Sequence, residues 1–209
     1  MKRLIIFIVI ILIVINIIDK YIYEYLHSKG EIINNVILPD IFHDNTLKID
    51  KKIPDYFLIV FIVIFLIYFL FNREYQYILL LLLFYLLSKF ICYLYFSVTI
   101  LPDSSKSCIK SNNSWDSILN LGSCNCLNIS GHFLNIIFIF LLLNLYFKNK
   151  YWYIFVLLYI IYFYLICSSR NHYTIDCLNS TVIAILIFSQ KKYIVKFANY
   201  LIGKNYVKI

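Results

Sequence analysis

Residues 77–101 read YILLLLLFYLLSKFICYLYFSVTIL and decide the fold class. The stretch contains no glycine or proline, and Lys89 is its one charged residue. A helix needs about 20 predominantly apolar residues to cross a bilayer. A strand of a membrane barrel would instead alternate apolar and polar residues, and this stretch does not. It therefore predicts a membrane-spanning α-helix.

Five further apolar stretches flank this one. They extend over residues 4–18, 56–71, 133–147, 151–167 and 177–189. Several are shorter than a bilayer requires, so their helices must include flanking tyrosine, tryptophan and asparagine residues. Hydrophobic residues make up 62% of the 209 and charged residues 14%, which excludes a soluble or a disordered chain. We predict an all-α polytopic membrane protein in which residues 1–209 form one bundle of six transmembrane helices.

The charged residues predict the orientation of this bundle. Six spans place both termini on one side, which then carries ten basic residues and one acidic residue. The opposite side, formed by residues 19–55, 102–132 and 168–176, carries eight basic and ten acidic residues. The positive-inside rule therefore predicts that both termini are cytosolic. This asymmetry accounts for the net charge of +8, so nothing in the composition calls for a nucleic-acid partner.

Two histidines are predicted to meet at the exoplasmic face. His132 precedes the fourth span and His172 precedes the sixth. His172 and Asp176 have the i, i+4 spacing that places two side chains on one face of a helix. A carboxylate on one ring nitrogen fixes the tautomer and leaves the other nitrogen free to attack, while His132 can act as general acid or base. This set suits phosphoryl transfer on a lipid headgroup, although the spacing alone is also common in structural roles.

The cysteines are compatible with a disulfide in the exoplasmic loop, between Cys108 and either Cys124 or Cys126. Cys124 and Cys126 have no histidine or acidic partner at ligand spacing, so we predict no metal site and no cofactor.

Four motifs resemble the sphingomyelin synthase family, which is part of the lipid phosphate phosphatase superfamily. Residues 130–132 (SGH) and 172–176 (HYTID) match its two histidine motifs, the second lying eight residues before Ala184. Residues 38–44 (LPDIFHD) are similar to its Leu-Pro-Asp motif in the first exoplasmic loop. Residues 98–102 (VTILP) are similar to the segment that ends its third span. The resemblance covers residues 38–184, with the motifs in family order.

The resemblance implies a phosphotransferase for substituted phosphate groups. Such an enzyme moves phosphocholine, or a related phospho-headgroup, from a glycerophospholipid such as phosphatidylcholine to ceramide and releases diacylglycerol. It implies an exoplasmic or lumenal active site in the Golgi, the endoplasmic reticulum or the plasma membrane. The implied catalytic residues are His132, His172 and Asp176. We further expect substrate contacts from Ser130, Tyr173, Lys89, Arg170 and Asp40.

The sequence also departs from the family pattern. Cys124–Asn125–Cys126 replaces Cys-Gly-Asp, a paired arginine before the third span is reduced to Arg73–Glu74, and Cys92 stands where an arginine within that span is expected. Lys89, one turn earlier, can supply this charge to a substrate phosphate, or it can snorkel as a structural residue. The patterns of the phosphatase branch, Lys-x6-Arg-Pro and Ser-Arg five residues before the second histidine, are missing.

Several alternatives stay open. The enzyme could be a phosphatidylcholine:diacylglycerol cholinephosphotransferase, or an inositol- or ethanolamine-phosphate ceramide transferase. From another class, the chain could be a catalytically silent membrane protein that binds lipid. The sequence leaves the oligomeric state open, a homo-oligomer included.

The charge asymmetry generates a prediction about topology. We expect both termini and the turn at residues 148–150 to be cytosolic, and residues 102–132 to face the opposite side. Single cysteines introduced at these places and labelled with a membrane-impermeant reagent in sealed vesicles would measure this. Labelling of the 102–132 segment from the cytosolic side would contradict the six-helix topology.

Overall fold

The computed structural model describes residues 38–98, 129–202 and 207, together with isolated positions between 6 and 25. Regular secondary structure within these residues is entirely helical. We number the seven helices of residues 38–98 and 129–202 in chain order. They are α1 (Ile41–Asn45), α2 (Lys52–Phe71), α3 (Tyr75–Val98), α4 (Gly131–Tyr146), α5 (Trp152–Ser168), α6 (Thr174–Ser189) and α7 (Lys191–Ile202).

Two of these helices are long and apolar enough to cross a membrane, over Lys52–Phe71 and Tyr75–Phe96. Helices α4, α5 and α6 are apolar but have only 16 or 17 residues. At 1.5 Å per residue such helices are about 24 Å long, slightly less than a typical hydrocarbon core. The described helices are consistent with a membrane protein. Six spans and cytosolic termini stay predictions, because the structure describes only isolated positions of the predicted span at 4–18.

The other five predicted spans correspond to α2–α6, with differences at their boundaries. Helices α2, α3, α4 and α6 each begin two to four residues before the apolar stretch that predicted them. The added first turns contain polar residues such as Lys52, Gln76, His132 and Asp176. Polar side chains suit a first turn, where backbone N–H groups have no partner within the helix. The predicted stretch therefore marks the apolar part of each helix rather than its whole length.

Helix α4 forms the centre of the described bundle. It packs against α2, α3, α5 and α6, and half of its 16 residues are buried while the others are partly buried. Aromatic rings make several of these contacts, including Phe84 with Phe138 at 4.8 Å and Phe61 with Phe140 at 5.3 Å between centroids. A helix that is hydrophobic on all sides is expected at the centre of a bundle. The outer helices expose residues such as Val60, Ile64 and Leu157, which suits contact with lipid.

Helix α7 is an addition that the sequence pattern did not predict. Its residues were predicted only as a basic cytosolic tail, because Lys191, Lys192 and Lys196 interrupt the apolar pattern. The structure folds them into an amphipathic helix that packs against α3 and α6, with Ala198 fully buried. Its aromatic residues Tyr193 and Tyr200 remain exposed.

Candidate active site

The Asp40 carboxylate connects the segment before α2 to the beginning of α6. Its Oδ1 accepts hydrogen bonds from the backbone N–H groups of Phe42 and His43 and thereby caps α1. The same carboxylate accepts from Thr174, from the backbone N–H at 2.7 Å and from Oγ1 at 2.8 Å. Asp40 is almost fully buried. The Asp40 carboxylate thus accepts hydrogen bonds from the beginnings of both α1 and α6 and holds the two helices together.

Arg170 and His43 strengthen this connection. The Arg170 guanidinium donates to the carbonyl oxygens of His43 and Thr46 and to Thr46 Oγ1. Arg170 has a φ of 61°, which turns the chain sharply after α5 and lets its side chain reach back. His43 Nε2 donates to the carbonyl oxygen of His172 at 3.0 Å, and its ring stacks on Tyr173. We call residues 38–46 the clamp, because they form hydrogen bonds with the loop at residues 168–174.

The clamp lies outside the apolar helices, and the pKa values of its buried groups Asp40 and His43 are both lowered. Burial by itself would raise the pKa of Asp40, but the hydrogen bonds from Thr174 and His43 outweigh it and lower the pKa below the usual 3.8. Burial lowers the pKa of His43 below its usual 6.5, against the hydrogen bond to His172 and the attraction of Asp40. The folded clamp therefore favours an ionised Asp40 and a neutral His43.

The predicted contact between His172 and Asp176 forms where this loop meets α6. His172 Nδ1 lies 3.3 Å from Asp176 Oδ2, and the same oxygen accepts the backbone N–H of Tyr173 at 3.0 Å. The pair does not share a helix face, as the spacing suggested, because α6 begins only at Thr174. Asp176 instead occupies the first turn of α6 and reaches back to His172. With Nδ1 as the donor, Nε2 is the ring nitrogen left for chemistry.

A serine pair fixes the beginning of α4 against α6. Ser130 caps α4 by accepting the backbone N–H of Phe133, and its own backbone N–H donates to Ser180 Oγ at 2.8 Å. Ser180 Oγ lies 2.7 Å from the carbonyl oxygen of Asp176, to which it can donate. Both serines are fully buried. His132, two residues after Ser130, is thereby held near the loop that carries His172.

His132 also contacts a residue that the sequence analysis missed. Its Nε2 lies 3.7 Å from Oδ1 of Asp55, which belongs to the first turn of α2. His172 lies within electrostatic range of both Asp55 and His132. The one signal that could have identified Asp55 is its predicted place on the exoplasmic side, immediately before an apolar stretch.

Lys89 approaches the same cluster from α3. Its charge is within electrostatic range of His132, and its ammonium lies 6.0 Å from the ring centroids of both Tyr85 and Tyr93. Helices α3 and α4 pack closely here. The position that a Cβ atom would occupy at Gly131 of α4 lies 4.0 Å from Cys92 Sγ of α3. A cation at this position can face a substrate phosphate bound beside His132.

The predicted site residues thus fall into two groups. In the first group, His172 contacts Asp176, His132 contacts Asp55, and the Lys89 ammonium lies near the rings of Tyr85 and Tyr93. Asp40, Arg170, Tyr173 and Ser130 make the framework contacts of the clamp and the serine pair, and their roles as substrate contacts stay predictions. Within the described ranges, histidine, cysteine and acidic side chains form no group of three or more that could hold a metal ion. The predicted disulfide partners Cys108, Cys124 and Cys126 lie outside these ranges.

The comparison with known families fits this geometry. Residues 123–193 match the family model described as PAP2 superfamily C-terminal. The match supports the lipid phosphate phosphatase superfamily. It includes both histidine motifs, and at a coarse level it supports an enzyme that acts on lipid phosphate groups. The match does not identify the narrower sphingomyelin synthase family. It also does not distinguish a phosphotransferase from a phosphatase. No curated protein and no solved structure matches the chain.

The lowered pKa of His43 generates a prediction about pH. A base whose pKa is lowered by folding contributes stability that is present above its unfolded pKa and lost as the pH falls. We therefore expect the clamp to loosen as the pH decreases from 6.5 towards the lower pKa of folded His43. Limited proteolysis of residues 46–51 in detergent micelles, followed across this range, would measure the loosening.

The matched control for this prediction is His43→Gln. The glutamine amide can still donate to the His172 carbonyl, but it does not titrate. Proteolysis of this variant should depend less steeply on pH between 6.5 and 5. Equal pH dependence in both proteins would show that His43 does not control the clamp.

Proposed function

We propose that the chain is a lipid headgroup phosphotransferase of the sphingomyelin synthase type. It would transfer phosphocholine or a related phospho-headgroup from a glycerophospholipid such as phosphatidylcholine to ceramide and release diacylglycerol. The observation that carries the proposal is the His172–Asp176 pair beside His132, inside the region that matches the PAP2 superfamily C-terminal model. An exoplasmic or lumenal active site follows from the predicted topology.

The first half of the reaction forms a phosphohistidine. His172 Nε2 attacks the donor phosphorus while Asp176 accepts the Nδ1 proton in a hydrogen bond and stabilises the developing positive charge. The bond between phosphorus and the diacylglycerol oxygen breaks. His132 gives its proton to this oxygen, and neutral diacylglycerol leaves.

The second half returns the enzyme to its initial state. His132, now neutral, removes the proton of the ceramide hydroxyl. The resulting oxygen attacks phosphorus, and the bond between phosphorus and His172 breaks. The product carries the headgroup, His172 is again neutral, and His132 again holds the proton that it needs for the next donor.

Transfer and hydrolysis differ only in the acceptor of the second step, because water can replace the ceramide hydroxyl. Diacylglycerol can replace ceramide as the acceptor, and the donor can carry inositol or ethanolamine in place of choline. Purified protein supplied with labelled ceramide and diacylglycerol and with several phospholipid donors would separate these cases by product headgroup. Release of free phosphocholine without labelled lipid product would favour hydrolysis. Lipid binding without any product would favour a catalytically silent protein.

The triad generates a prediction about mutants. His172→Ala, Asp176→Ala and His132→Ala should each lower transfer by about 10²–10⁴-fold while leaving membrane insertion intact. Combining them should lower it little further, because residues that act as a unit are not additive. Asp44→Ala, at an exposed aspartate of the clamp, is the control for loss of a carboxylate. Near-normal turnover by Asp176→Ala would contradict the role of the His172–Asp176 pair.

Lys89 generates a separate prediction about donor binding. A lysine near the centre of a span costs about 2.5–3.5 kcal/mol on insertion scales. Lys89→Met should therefore insert at least as well as the unmutated protein, yet bind donor more weakly and turn over more slowly. Lys89→Arg should retain part of both, because it keeps the charge. Vesicle binding and headgroup transfer would be measured side by side.

The control for the two Lys89 variants is Lys192→Met, which replaces a lysine by methionine at an exposed position of α7. It should leave donor binding and transfer as they are. If Lys89→Met transferred headgroups at the unmutated rate, Lys89 would be a snorkelling residue and not a phosphate contact.

A further inference from the structure

The contact between Asp55 and His132 is a second carboxylate–imidazole pair beside that of His172 and Asp176. Asp55 Oδ1 lies 3.7 Å from His132 Nε2, and the two side chains are 21% and 27% exposed. They come from the first turns of α2 and α4, which are far apart in sequence. We propose that Asp55 is the positioning residue of His132 and fixes which ring nitrogen serves the reaction. This inference rests on the proposed transfer chemistry.

The geometry assigns a task to each nitrogen of His132. A separation of 3.7 Å is longer than a direct hydrogen bond, and such bonds in unliganded sites often tighten when substrate binds. Because Nε2 faces Asp55, it keeps its proton, and Nδ1 is the nitrogen left for the substrate. Nδ1 then gives a proton to the departing diacylglycerol oxygen and later takes one from the ceramide hydroxyl. Asp55 accepts the Nε2–H hydrogen bond throughout and exchanges no proton.

The surroundings of Asp55 indicate that it positions His132 and does not merely stabilise the beginning of α2. An aspartate in the first turn of a helix can simply stabilise the helix dipole from a solvated position. Asp55 is instead within electrostatic range of His172 and of the Tyr162 hydroxyl. Tyr162 is fully buried, and its hydroxyl has no hydrogen-bond partner among the described residues. Asp55 therefore points toward the polar cluster and not away from it.

The backbone holds Asp55 in place relative to the reacting loop. The backbone N–H of Ile49 donates to the Ser168 carbonyl at 3.1 Å, and the Asn171 amide donates to the Lys51 carbonyl at 2.9 Å. The beginning of α2 is therefore tied to the loop that carries His172. The Ser130–Ser180 contact ties the beginning of α4 to α6. Asp55, His132 and His172 are thus held by one set of contacts.

The test compares two donors in the full-length protein. Diacylglycerol needs a proton to leave phosphatidylcholine, whereas p-nitrophenolate leaves p-nitrophenylphosphocholine without one. Asp55→Asn should lower kcat for transfer from phosphatidylcholine to ceramide by about 10²-fold, with KM for the donor little changed. Its first-turnover burst of p-nitrophenolate should fall less than about threefold, since attack by His172 does not need His132. Asp55→Glu should recover part of the transfer, and Glu74→Gln, in the turn between α2 and α3, is the matched control.

A readout independent of activity accompanies this comparison. In ¹⁵N-histidine spectra of the detergent-solubilised protein, His132 should carry its proton on Nε2, and Asp55→Asn should shift the ring toward the other tautomer. Equal losses of both donor reactions in Asp55→Asn, or an unchanged His132 tautomer, would overturn the inference while leaving the proposed function standing. Absence of transfer and burst from the unmutated protein would refute the proposed function and the role of Asp55 in it.

Discussion

The Asp40 carboxylate joins two parts of the chain that are 134 residues apart, and the arrangement of the site depends on it. It accepts hydrogen bonds from the first turn of α1 and from Thr174 at the beginning of α6. Without this carboxylate, three backbone N–H groups would lose their partner, and the buried one, that of His43, would cost about 1–3 kcal/mol. Arg170 completes the connection from the opposite direction, since it donates to carbonyl oxygens of the clamp. The loop that carries His172 is therefore held from both sides.

These polar contacts are concentrated at one end of a bundle that is otherwise apolar. The interior offers few alternative hydrogen-bond partners, because α4 and its neighbours contribute mainly isoleucine, leucine and phenylalanine. Polar groups at the helix beginnings must then satisfy each other, as Ser130, Ser180 and Asp176 do. Ser180 thereby joins the beginning of α4, which carries His132, to the beginning of α6 beside His172. A reactive cluster beside apolar helices suits a substrate whose headgroup is polar and whose tails are not.

The sequence predicted the parts of this arrangement that depend on local pattern. Apolar stretches predicted α2–α6, and the spacing of His172 and Asp176 predicted their contact. Helix beginnings were placed too late, because polar first turns lie outside any apolar stretch. Helix α7 was missed because its lysines exclude it from a membrane span, although Ile194, Phe197 and Leu201 recur at the spacing of an amphipathic helix. Asp55 was missed because its contact with His132 depends on how α2 and α4 pack, and no spacing within the sequence encodes that.

The two histidine–carboxylate pairs therefore depend on the fold in different ways. His172 and Asp176 are four residues apart, so a single turn of chain sets their contact once α6 has begun. His132 and Asp55 meet only if α2 and α4 are packed correctly along their length, through contacts such as Phe61 with Phe140. In the proposed mechanism the first pair carries the nucleophile and the second carries the proton. Packing of the bundle thus acts on the proton-transfer half of the chemistry, whereas the nucleophile depends on a local turn and on the clamp that holds it.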